Sequence, residues 1–220
     1  MPKLFLFGDS ITWGAWDLEG GGWAQRLRTA LDSYTLSNED YWCPVYSLGV
    51  SGDRSAGLAA RLEQETSARL AEDGQVIILI AIGINDSKID LKDPANNVTE
   101  TQYAENLGAI LKKAKLFSNK ISFMGLTPIN QELLDPLPWD TTLAYRMTRV
   151  QSFEATCQKF CADNDIPFLS LIDSWLRMDY NSLLEDGLHP NSKGHQLLFE
   201  SVKAFLVNTR FLIEPFEGHS

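Results

Sequence analysis

Ser10, Asp186 and His189 are the residues whose types and spacing could together make a nucleophile. A serine hydroxyl attacks poorly until a neighbouring base takes its proton. His189 can be that base, and Asp186 can fix the imidazole tautomer and stabilise the imidazolium. The short Asp-x-x-His spacing lets one loop carry both partners. The chemistry open to such a set is acyl transfer, which also needs donors aimed at a developing oxyanion. The backbone N–H of Ser10, the backbone N–H of Gly52 and the side-chain amide of Asn85 are the candidates. Glycine suits position 52 because a missing side chain lets the backbone approach a substrate closely.

These residues are far apart in sequence, so the elements around them must bring them together. Buried strands are predicted at 3–7, 45–48, 76–82, 121–124 and 167–171, where the chain is almost continuously apolar. Runs such as Val76-Ile77-Ile78-Leu79-Ile80-Ala81-Ile82 suit parallel strands covered on both faces. Helical patterns lie between them, over 56–71, 103–114, 148–162 and 194–207; Tyr103, Leu107, Ile110, Leu111 and Ala114 form one apolar stripe. The alternation predicts one α/β domain spanning 1–220, built around a parallel sheet of about five strands. Gly8-Asp9-Ser10, Gly49 to Asp53, and Gly83 to Asp86 follow the first three strands, and Asp186 to Pro190 precedes the last helix. In an open parallel sheet these ends share one edge, where ligands bind.

In these blocks the chain resembles the SGNH (GDSL-type) hydrolases, a family of esterases, lipases and acylhydrolases. The resemblance is carried by Gly8-Asp9-Ser10-Ile11, Gly52, Gly83-Ile84-Asn85-Asp86 and Asp186-Gly187-Leu188-His189-Pro190. It spans nearly the whole chain in the family's order; Ile11 replaces the leucine of the family's name. It implies a three-layer α/β/α sandwich of flavodoxin-like type. It also implies Ser10 as nucleophile with Asp186 and His189 as triad partners, and an oxyanion hole from Ser10, Gly52 and Asn85. The expected partner is a small-molecule acyl ester, with no cofactor and no metal. No Gly-x-Ser-x-Gly elbow occurs.

Composition narrows the alternatives. The 220 residues are 44% hydrophobic and 22% charged, with a formal net charge of −10. That charge argues against nucleic acid, whose binders need a basic surface. The first residues lead into an apolar run too short for a signal peptide, and no stretch reaches the ~20 apolar residues of a membrane span. A cytoplasmic protein without stable membrane insertion is expected; oligomeric state is not specified. Cys157 and Cys161 read as packed thiols on one helix face. Of the other histidines, His195 falls within a predicted helix and His219 in the terminal segment.

Two other functions compete. Asp9, Asn85, Asp86, Asp186 and His189 could ligate two divalent ions in a metal-dependent phosphoesterase. A catalytically silent binding module could also retain the fold. Asp9 is expected to brace its turn, and Gly20-Gly21-Gly22, lacking the Lys and Ser/Thr of a phosphate loop, reads as flexible. The apolar segment 126–142 has two readings, a wall or lid over the site or packing against its own helix.

Overall fold

The structure, a computed structural model, describes residues 1–38, 40–70 and 74–212. The strands, in chain order, are β1 (Lys3–Gly8), β2 (Val45–Gly49), β3 (Val76–Ala81), β4 (Ile89–Asp90), β5 (Lys120–Met124), β6 (Leu143–Ala144) and β7 (Phe168–Leu169). The helices are α1 (Ser10–Trp13), α2 (Trp23–Ser37), α3 (Ser55–Ser67), α4 (Glu100–Ala114), α5 (Gln131–Leu134), α6 (Met147–Asp163), α7 (Ile172–Leu176) and α8 (Ser192–Asn208).

Five strands form a parallel sheet in the order β2-β1-β3-β5-β7. This is the flavodoxin-like order, whose chain direction switches between β1 and β3. Every residue of β1 and β3 is buried, as an apolar run covered on both faces requires. Each fully buried Leu, Ile or Phe contributes about 1.5–3 kcal/mol of transfer free energy. Helices α2 and α8 pack together as one row, while α3, α4 and α6 form the other. The sheet and its flanking helices make the expected α/β/α sandwich.

Register aligns the strand ends that matter. Gly8 pairs with Gly49 on one side and Ala81 on the other, so three chain exits sit abreast. A Cβ on Gly8 would lie 2.5 Å from Ala81 O, and one on Gly49 would lie 2.2 Å from Trp13 N. Only glycine lets α1 lie this closely across the sheet edge.

Several elements depart from the sequence expectation. Helix α2 was not anticipated; Trp23, Ala24, Leu27 and Leu31 are its buried face. The fifth strand of the sheet, β7, is shorter than 167–171, because Leu171 already adopts helical angles and caps α7. Gly20-Gly21-Gly22 is held rather than loose. The Asp17 carboxylate accepts from the N–H groups of Glu19, Gly20 and Gly22 and from Arg26. Gly22 has φ +95 and its Cβ position is 2.3 Å from Gly14 Cα, so close packing explains the glycines. Cys157 and Cys161 are buried, as expected of packed thiols. His219 lies outside the described residues.

The two long connections are folded. Residues 86–100 contain β4, which pairs antiparallel with β6. In the 126–142 segment Ile129, Leu134 and Leu137 enter the core, while Leu133 and Trp139 remain exposed. Among the described residues no helix is long and apolar enough to cross a membrane.

Candidate active site

Ser10 is the first residue of α1, directly beyond β1. Asp9 caps that turn: its Oδ1 accepts from Ile11 N–H at 2.9 Å. Burial raises the Asp9 carboxyl to about 7, against the opposing pull of the Ile11 N–H and the nearby His189 ring. The role expected from the sequence, bracing the turn, is the one its geometry supports.

Ser10 Oγ lies 2.9 Å from His189 Nε2, and His189 Nδ1 lies 2.7 Å from Asp186 Oδ2. The residues span 179 positions, yet their polar atoms form one continuous chain. Asp186 Oδ1 meanwhile accepts from the backbone N–H groups of Leu188 and His189 at 3.0 and 2.8 Å. Gly187, at φ +90, permits the tight turn that aims both N–H groups at one carboxylate. Partial burial alone would raise Asp186. The hydrogen bonds from the His189 ring and backbone, the charge of that ring and the Leu188 N–H prevail, holding the carboxyl well below the usual range. An ionised Asp186 on Nδ1 leaves Nε2 free to accept the Ser10 proton.

The three candidate oxyanion donors follow three neighbouring strands, β1, β2 and β3. Ser10 N–H sits at a helix start, where no intrahelical acceptor exists. Gly52 stands at φ +76, the left-handed region that favours glycine, with nothing within 4 Å of its Cβ position. Asn85 is buried, and its Nδ2 donates to Asp53 O at 3.1 Å. Its Oδ1 accepts from Tyr145 O–H at 2.9 Å.

Two contacts of the site join residues that sequence spacing does not connect. Trp16 Nε1 donates to Asp186 Oδ2 at 3.0 Å, and its ring meets His189 edge-on at 5.7 Å. Tyr145 reaches Asn85 from 60 positions away.

The groups invoked for a two-ion site are otherwise committed. Asp86 accepts from both the N–H and hydroxyl of Ser55. Asn85 and Asp186 hold the partners just described. Among the described residues no three His, Cys, Asp or Glu side chains group to hold an ion. His195 is buried in α8: its Nδ1 accepts from Trp23 N–H and its Nε2 donates to Ala15 O at 2.8 Å. Burial lowers its proton affinity, in keeping with an Nδ1 that accepts a hydrogen bond, and both ring nitrogens are occupied by packing partners.

The fold and its family match together make the chain a hydrolase acting on ester bonds. Residues 6–197 match the GDSL-like lipase/acylhydrolase family, and the chain belongs to that family. It is 26% identical over 212 residues to the human isoamyl acetate-hydrolyzing esterase 1 homolog, covering 90% of this chain and 78% of that protein. A lipase/acylhydrolase structure from Enterococcus faecalis superposes with TM-score 0.75 at 21% identity, covering 99% of this chain and all of that one. An acetylxylan esterase from Geobacillus stearothermophilus gives TM-score 0.70 at 20% identity, with 93% of each chain covered.

Proposed function

We propose that the chain hydrolyses short-chain acyl esters through a covalent acyl-enzyme on Ser10. The observation that carries this reading is the unbroken Ser10–His189–Asp186 hydrogen-bond chain at 2.9 and 2.7 Å. Ser10 Oγ attacks the ester carbonyl while His189 Nε2 takes its proton. The new oxyanion is held by the N–H groups of Ser10 and Gly52 and by Asn85 Nδ2. Collapse breaks the C–O bond, and His189 returns its proton to the departing alcohol. Water, deprotonated by His189, then attacks the acyl-enzyme, releasing the acid and regenerating Ser10.

Trp13 and Trp16 meet edge to face at 6.4 Å beside His189, and both are about half exposed. Leu133, also exposed, lies against Gly187. These surfaces suit an apolar alcohol or a short acyl group rather than an anion. The human relative and the bacterial acetylxylan esterase are both named for acetate esters, which supports a small acyl group.

A panel of p-nitrophenyl esters of graded length, with isoamyl acetate and acetylated sugars alongside, tests this. Here kcat/KM should peak at about two to four acyl carbons and fall beyond, since each methylene that is not accommodated costs about 1–3 kcal/mol. A peak at long chains contradicts it.

A further inference from the structure

The candidate oxyanion donor Asn85 carries an amide whose two ends are chemically different but similar in shape. Turned by half a rotation, Asn85 would offer an acceptor where a donor is needed, and an oxygen lone pair would face the oxyanion. Something must fix the orientation.

One end is set by a backbone carbonyl. Asp53 O can only accept, so the Asn85 atom 3.1 Å away must be the nitrogen. That contact uses one of the two Nδ2 protons and leaves the second for the substrate. A single bond still permits the amide to swing. The other end is set by Tyr145, whose hydroxyl is 2.9 Å from Asn85 Oδ1 and can donate to it. With Nδ2 already facing Asp53, only the oxygen remains for the tyrosine.

Tyr145 is built to hold that position. It is buried, its own N–H donates to Leu134 O at 2.9 Å, and Ala144 before it pairs with Ile89. Burial pushes the phenol well above its ordinary value, with Asp9 adding to the rise and Arg54 opposing it, so the hydroxyl keeps its proton to donate. Among the described residues the hydrogen bond of this phenol is the one to Asn85.

We propose that Tyr145, just beyond the 126–142 segment, is a positioning residue that locks the Asn85 amide with Nδ2 toward the oxyanion. This rests on the assignment of Asn85 as an oxyanion donor.

Kinetics of Tyr145→Phe, Asn85→Ala and the double variant separate the two claims. Tyr145→Phe should lower kcat about tenfold with KM unchanged, the kinetic equivalent of one neutral hydrogen bond. Added to Asn85→Ala it should cost nothing more, because the group it orients is gone. A wild-type kcat in Tyr145→Phe, or an equal further loss in the Asn85→Ala background, overturns the positioning role. A wild-type kcat in Asn85→Ala instead overturns the underlying donor assignment. A crystal structure of the wild-type protein phosphonylated by a fluorophosphonate needs no variant to fold. The phosphoryl oxygen should lie within hydrogen-bond distance of Asn85 Nδ2 while Oδ1 stays on the Tyr145 hydroxyl. A reversed amide, or a tyrosine hydroxyl bonded elsewhere, overturns the proposal.

Discussion

Trp16 Nε1 donates to Asp186 Oδ2 at 3.0 Å, joining the segment that bears Ser10 to the loop that bears His189 across 170 positions. Asp186 thereby receives four N–H groups, two on each oxygen. Trp16→Phe keeps an aromatic ring beside His189 but removes one donor. It should lower kcat about three- to tenfold, the range for one partly solvated hydrogen bond to a carboxylate. The melting temperature should change little, because the indole is half exposed. Steady-state kinetics beside a thermal melt check this; an unchanged kcat removes Trp16 from the catalytic apparatus.

Asn85→Ala should reduce kcat by ~10²–10³ with a much smaller change in KM, the usual effect of deleting one oxyanion donor. A loss confined to KM would make Asn85 a binding residue.

Asp186→Asn should be more damaging than either, because it no longer favours the tautomer with a free Nε2. In a comparable triad the same exchange costs about 10⁴ in kcat with geometry intact. A fall of less than tenfold on the best ester of the panel would leave His189 acting without Asp186.

Stability should carry the mark of Asp9. Its carboxyl is raised from 3.8 to about 7 on folding. Between those values the folded chain holds a proton that the unfolded chain has lost, so stability falls as pH rises through that window. Asp9→Asn keeps a side-chain acceptor for Ile11 N–H and removes the titration. The variant's melting temperature relative to the parent should therefore climb from pH 4 to pH 8, by about 2–4 °C for each kcal/mol recovered. Glu154, raised by burial to about 7 against the Leu126 N–H, with Asp173 adding to the rise, adds a slope of the same sign in both proteins. Asp186 is depressed on folding, so its contribution is present above the unfolded value and lost only in strong acid. A constant difference between variant and parent across pH 4–8 would refute the assignment to Asp9.

Much of this was readable from the chain because the physics was local. Buried parallel strands must be apolar, so β1 and β3 announce themselves, and the polar blocks after them mark one edge. The 186–189 loop was equally legible, since Asp186 reaches His189 within one turn. Helix α2 has a regular apolar stripe, but its cap is Gly22 with no side-chain hydrogen bond, so the usual start signal is missing. The glycine run before it reads as loose because only the fold brings Gly14 against Gly22. Tyr145 and Trp16 were hidden for the same reason. Their partners are 60 and 170 positions away, and nothing near them in sequence requires a donor there.

The central claim is a covalent acyl-enzyme on Ser10. The most direct measurement is fluorophosphonate labelling of the folded protein, followed by peptide mass spectrometry, with Ser10→Ala in parallel. Among the described residues the Ser10 hydroxyl is bonded to His189 alone, so its loss should cost about 1 kcal/mol and leave the variant folded. One adduct is expected, on the peptide containing Ser10, together with loss of ester turnover, and neither label nor turnover in Ser10→Ala. A folded wild-type protein that hydrolyses esters with Ser10 unlabelled, or a Ser10→Ala variant that turns over at the parent rate, would contradict it.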